Sequence, residues 1–360
     1  MAKKKSKTEK NNPFERVNGL FLKKPAVPFK MTGTRAEKKR LIEMINTVAN
    51  ASPFAKDVLD NAAKNGYTLC FKNQHGSVGN TNGGLKEISL LPSASDDKLA
   101  STLIHEARHA GQIANGADFQ FFSLNVKSEI LVRRAMEADA CACAALGVMQ
   151  MKENGFAAAY DAYKKDSPEL FAALETAGQN NASPDELLKT GFDCWYKDTR
   201  TKAAYENVYL TNPMKKANYD GFYFMMDFYK DVKSADVIDK ICVGTQGNRY
   251  FADKNALDDM KYLDISERTK EVADEFFKER ESYQFQKPDT SYQSLPVRES
   301  TIGESLTLFM NGFGELNKAQ TAEKKGKILE NKDRFKKALV EAKKPLNAAQ
   351  IAVAKNKRGR

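Results

Sequence analysis

Residues 101–112 read "STLIHEARHAGQ", and His105, Glu106 and His109 are residue types from which a hydrolytic metal site can be built. On an α-helix each residue turns by about 100°, so histidines four apart lie about 40° apart on one face, separated by one turn. Two imidazoles in that arrangement can bind one tetrahedral Zn2+. A glutamate directly after the first histidine sits about 100° away, near enough to take a proton from an activated water without being a ligand. Gln112 falls on the same face one turn on and is expected to line the site or support a ligand.

A catalytic zinc needs three protein ligands and one open position. The chain has three histidines, and the remaining one, His75, lies upstream in "NQHGSVGNTNGG", where a solvated turn residue is the expectation. The extended pattern HExxHxxGxxH fails, because Gln112 and Asn115 stand where Gly and His are needed. Carboxylates on the following helix remain: Glu129, Glu137 or Asp139. Glu137 is preferred, because Ala135, Ala138, Ala140 and Ala144 let its helix come close and a charge in so small-residued a stretch asks for a partner. The competing expectation is that Glu137 only pairs with Arg133, four residues earlier. Asp139 stays open as the alternative third ligand or as a group supporting one.

These side chains must be positioned by regular elements. Thr34 caps an expected helix over 34–49 with a stripe of Leu41, Ile42, Ile45 and Val48. "SPFAKDVLDNAAKNG" predicts a second, with Ser52 as cap, Pro53 at its first position and Gly66 past its end. "YTLCF" and "LKEISLL" predict short strands, and the Gly/Asn-rich stretch between them predicts turns. "PSASDDK" opens the motif helix, with Ser93 or Ser95 as cap and Asp96 and Asp97 favouring its positive end. The next long helix covers roughly 126–147. From 155 to about 285 the pattern is mostly helical and aromatic, with Trp195 and the cluster Phe222, Phe224, Met225, Met226 and Phe228 expected in the core.

The division expected is a flexible basic arm over 1–30, a main domain over 31–285, a linker over 286–301 and a basic helical tail over 302–360. The formal net charge is +10, yet residues 1–50 alone carry 13 basic against 4 acidic groups and residues 318–360 carry 14 against 4. The middle is therefore net acidic, which excludes a folded basic groove and leaves the lysine-rich ends to meet an acidic partner or nucleic acid. No run of roughly eighteen apolar residues occurs, so no transmembrane helix is expected. The basic start has no apolar stretch behind it, so a cytoplasmic location is the expectation. Five scattered cysteines indicate neither a disulfide framework nor a cysteine metal knuckle.

His105-Glu106-x-x-His109 followed by a helical "EADACA" resembles the zincin metallopeptidases whose third ligand is a glutamate, the gluzincins, and among them small bacterial metallopeptidase domains of unassigned function. "EADACACAAL" is also similar to the glutamate helix of the zincins that regulate phage repressors. The resemblance covers about residues 34–147. It implies an α+β, mostly helical fold with a zincin-like core of helix, short sheet, motif helix and glutamate helix. It implies Zn2+ on His105, His109 and Glu137, Glu106 as general base, and hydrolysis of a peptide or protein substrate. It further implies that "LKEISLL" is the edge strand against which that peptide lies. Many larger gluzincins carry an aspartate four residues after the ligand glutamate, where this chain has Cys141. The alternatives are a non-catalytic binding or regulatory module on the same fold and a nucleic-acid-associated factor acting through the basic ends.

No residue declares itself as the group stabilising an oxyanion. Arg108 is expected in a surface salt bridge, and Tyr205, Tyr209, Tyr219 and Tyr223 are candidates.

Overall fold

The computed structural model describes residues 14–17, 20–74, 76–117, 123–220, 229–244, 247–282 and 288–298. Strands β1 (Phe14–Val17) and β2 (Leu20–Lys23) form an antiparallel hairpin. They precede β3 (Lys30–Met31), α1 (Arg35–Ala51) and α2 (Pro53–Lys64). Then come β4 (Thr68–Phe71), β5 (Gly79–Asn82), β6 (Glu87–Leu90), α3 (Asp96–Gln112) and α4 (Val126–Glu153). Helices α5 (Ala157–Asp166), α6 (Pro168–Gln179), α7 (Pro184–Trp195) and α8 (Thr199–Glu206) follow, and a π-turn over Asn207–Thr211 joins α8 to α9 (Asn212–Asp220). The described chain ends with α10 (Ser234–Lys240), β7 (Ile265–Ser266), α11 (Glu267–Ser282) and β8 (Val297–Arg298). The protein is thus mostly helical with small sheets, as expected of an α+β chain.

Local signals account for the first half. Thr34 caps α1 in a reciprocal capping box with Glu37, Ser52 caps α2 with Pro53 inside its first turn, and Ser95, not Ser93, caps α3. The principal sheet has the order β3-β4-β6-β5, parallel except that β5 runs antiparallel to β6. This corrects the strand assignment: "LKEISLL" holds an inner strand, and the edge strand is "GNTN", inside the stretch expected to be turns. Its alternation of Gly, Asn and Thr carries no apolar face, so pairing to β6 and not periodicity makes it a strand.

Helix α4 is the hub. Its Ala138 and Ala142 join one apolar cluster with α7 and the later helices, while Ala144, Ala145 and Val148 join a second with α1, α2 and the sheet. A helix buried all round shows no polar stripe. Its small residues set the spacing: a Cβ on Gly147 would stand 2.8 Å from Cδ1 of Ile104, so α3 and α4 pack closer than any larger residue permits.

Three segments differ from expectation. Val27 and Phe29, within the expected flexible arm, are buried, and Ala26 N–H donates to Oδ1 of Asn46 at 2.6 Å. Among the described residues of 241–264 the only helical pieces are short 3-10 stretches. Residues 288–298, at the expected linker, pack on the body through buried Tyr292 and Leu295. Trp195 is buried in the core, whereas His75, Phe222–Phe228 and the tail beyond 298 lie outside the described residues. No described helix is long and apolar enough to cross a membrane.

Candidate metal centre

Helices α3 and α4 bring His105, His109 and Glu137 together, and their ligand-type atoms all lie within 4.8 Å of one another. Nε2 of His105 and Nε2 of His109 are 3.0 Å apart, and Oε2 of Glu137 stands 3.4 Å and 3.6 Å from them. The ring planes are nearly perpendicular, so both nitrogens point at one spot from different directions. The group lies in a cleft of about 820 Å3, walled on one side by β5 and on the other by Tyr163, Tyr205 and Tyr209.

Electrostatics in the group are those of a desolvated cluster. Burial pushes both imidazoles down, but the Cys141 contact and Glu137 raise His105 well above the ordinary histidine value, and Glu137 raises His109. Burial alone would raise Glu137, yet the two histidines outweigh it and hold its carboxyl well below the carboxylate range. Tyr205 and Tyr209 donate to its Oε2 and Oε1 at 2.9 Å and 3.1 Å. Burial and the adjacent carboxylate lift both phenols, keeping them protonated as donors. The π-turn that follows Tyr205 carries Tyr209 to the second oxygen, with the two rings stacked 5.8 Å apart.

Each remaining sequence candidate has a definite place. Glu106 is buried beside the group, and Oγ1 of Thr81 on β5 lies 2.8 Å from its Oε2. Gln112 uses Nε2 to donate to the backbone carbonyl of Met136 and to Asp139. That leaves its Oε1 as the acceptor for Nδ1–H of His109, at 2.8 Å, and turns Nε2 of His109 toward the cluster. Asp139 is fully buried and outside the His-His-Glu group, held by Gln112, Arg108 and Tyr250. Arg108 is therefore not in a surface pair: its guanidinium makes two bonds to Asp139 and two to the carbonyls of Ile241 and Val243. Glu137 does not pair with Arg133, which binds Glu129 at 2.7 Å. Of the CxC pair, Cys141 approaches Nδ1 of His105 at 3.8 Å, and Cys143 faces the core. Tyr223 lies outside the described residues, and of Tyr219 only the helical backbone is described.

Three contributors had no signal in the sequence. Thr81 and Gly79 sit in a segment that reads as turns, and Tyr250 sits in irregular chain more than a hundred residues from Asp139. Gly79 is required by close approach: a Cβ there would stand 2.5 Å from Cγ2 of Thr102 and 2.7 Å from Cγ of Glu106.

A mostly helical body with two histidines and a glutamate converging in a cleft defines a candidate metal-dependent hydrolase. A family model described as "Putative metallopeptidase family (DUF6782)" matches residues 23–251, and the chain belongs to that family. The matched span contains every residue of the group and of its supporting shell. Neither the curated proteins nor the solved structures yield a match.

Proposed function

We propose that the protein is a zinc-dependent endopeptidase of the zincin type, in which His105, His109 and Glu137 hold Zn2+ and Glu106 is the general base. The observation that carries this reading is the triangle of ligand atoms, with edges of 3.0, 3.4 and 3.6 Å. A tetrahedral ion with bonds of about 2.0–2.1 Å has ligand–ligand edges of about 3.3 Å, so the donor set fits zinc in number, type and spacing. When bound, the ion supplies Lewis acidity at the position the three protein ligands leave open.

The chain's own groups then have separable tasks. Glu106, with Thr81 beside its Oε2, takes the proton of the attacking water and delivers it to the leaving amine. Gln112 holds His109 in the tautomer that offers Nε2, and Asp139 holds Gln112. Tyr205 and Tyr209 orient Glu137, and their hydroxyls are donors the cleft offers to a developing oxyanion. An extended peptide adds to β5, the edge strand beside Glu106, by main-chain hydrogen bonding.

Metal analysis of the purified protein beside His109→Ala and Glu137→Ala tests the reading. About one zinc per chain, lost in the histidine variant and weakened in the glutamate variant, is expected. A chain that takes up no zinc on reconstitution would overturn it and leave a binding module on a peptidase fold.

A further inference from the structure

The segment 288–298 bonds to α4, which carries Glu137, and to α8, which carries Tyr205. At the N-terminus of α4 the first two backbone N–H groups are accepted by chain from far downstream: Val126 N–H by Oδ2 of Asp289 at 2.7 Å and Lys127 N–H by Oγ of Ser291 at 3.1 Å. Asn125 accepts the third, from Ser128, at 2.8 Å. Helix α4 thus begins on a cap that another part of the chain completes. Asp289 is itself preset for this by accepting Ser291 N–H at 2.8 Å. Tyr292 anchors the segment by donating to Asp274 and stacking on Phe277, and β8 pairs with β7.

The segment ends in Arg298, which enters a buried ion cluster. Arg298 binds Glu206 and, at 2.9 Å, Asp264. Arg134 of α4 meets the same two carboxylates at 2.9 Å and 3.2 Å, and Lys202 of α8 meets Asp264 at 2.6 Å. Arg134 is one turn from Glu137 on α4, and Glu206 directly follows Tyr205 on α8. The cluster therefore fixes α8 against α4 at the place where the phenols reach the carboxylate of Glu137. Among the described residues it holds three cations and two anions, so removing Arg298 leaves two of each. The contact can be lost without stranding a bare buried charge, unlike the loss of Glu206.

We propose that residues 288–298 form a latch on the metal site. Arg298 is a positioning residue that sets the distance between α8 and α4, and thereby the hydrogen bonds from Tyr205 and Tyr209 to Glu137. This rests on the reading of Glu137 as a metal ligand.

The test uses the full chain, with zinc affinity from competition against a chromophoric chelator and the visible spectrum of the Co2+-loaded protein as readouts. Wild type is measured beside Arg298→Met, the double variant Tyr205→Phe/Tyr209→Phe and the triple combination. Arg298→Met is expected to weaken zinc by about tenfold and to alter the Co2+ spectrum, the scale of a supporting-group loss. In the Phe/Phe background it is expected to have no further effect, because the route is already cut. Val27→Ala, in the other apolar cluster, is expected to lower the melting temperature without changing either readout. Should Arg298→Met not fold, Arg298→Lys enters the same cycle with an expected loss of about threefold, since it keeps the charge without the two-pronged contact. Unchanged affinity and spectrum, or a loss that adds in full to that of the Phe/Phe variant, would overturn the latch. Failure of the wild type to bind metal is a different result, which removes the ligand assignment and the latch with it.

Discussion

Gln112 and Asp139 are hydrogen-bonded at 2.6 Å across the interface between α3 and α4, with both side chains buried. Through that bond the orientation of His109, on one helix, depends on a carboxylate of the other. The dependence is directional, because Nε2 of Gln112 faces two acceptors and only its Oε1 remains for Nδ1–H of His109.

Gln112→Ala is therefore expected to weaken metal binding about 10- to 100-fold, with about 1–3 kcal/mol of stability lost from the buried partners it leaves unpaired. Asp139→Asn removes the same support and also strips the buried Arg108 of its counter-charge, so it should cost about 3–5 kcal/mol of stability as well. Chelator competition and denaturant unfolding on both variants separate the two effects. Equal metal affinity in wild type and Gln112→Ala would remove Gln112 from the site.

Gly79 is the second point at which a small change should be felt. Gly79→Ala must displace Thr102 and Glu106, since its Cβ would stand 2.5 Å and 2.7 Å from their side chains. Overpacking of this kind costs about 1–3 kcal/mol. The displaced group is the proposed base, so peptide hydrolysis should fall by more than the unfolding midpoint implies. A variant with full turnover and only a stability loss would show that Glu106 does not need its observed position.

How much of this was legible in advance differs between the two halves of the chain. The caps Thr34, Ser52 and Ser95, the motif helix and the alanine-rich helix carry strong local signals, and the third member of the group followed from a charge set among small residues. Edge strand β5 was invisible because its sequence has no apolar alternation, and it is a strand through its partner. Arg108 and Glu137 were each offered a nearby or surface partner by helix spacing, and both found a distant one. The reason is burial: in a helix enclosed on all sides, packing overrides the pairings that operate between solvated side chains. The cap on α4 from Asp289 and Ser291 joins residues more than 160 positions apart, a relation no local pattern encodes.

The stability of the metal-free protein and the increment that metal adds to it should respond to pH in opposite senses. His105 and His109 have raised values in the metal-free fold, so their contribution to stability is complete below the unfolded value near 6.5 and is lost as pH rises through the folded values. Glu137 is lowered, so its contribution is present above about 4.3 and is lost only as pH falls through its folded value. Protons and metal compete for the same nitrogens, so metal binding releases protons and strengthens with pH. From about pH 6 to about pH 9 the melting temperature with chelator should fall, and the increment on adding zinc should grow. Thermal melts across that range check both trends, and a zinc increment independent of pH would contradict the shared-nitrogen picture.

Glu106 separates a catalytic centre from a metal site that only holds shape. It lies next to a ligand candidate, is buried, and has Thr81 at one oxygen, yet it stands outside the triangle of metal-facing atoms. Glu106→Gln keeps the size of the side chain and can still accept from Thr81, so metal content and melting temperature should match wild type. It cannot take a proton from water, so hydrolysis of a peptide substrate should fall by roughly 10²–10⁴-fold, the share of a positioned general base. His109→Ala should lose metal and hydrolysis together. The decisive comparison is turnover per bound zinc in wild type and Glu106→Gln, measured on an unstructured protein such as casein with zinc content determined on the same samples. Equal turnover per zinc would refute the assignment of Glu106 as base and return the cleft to a binding role.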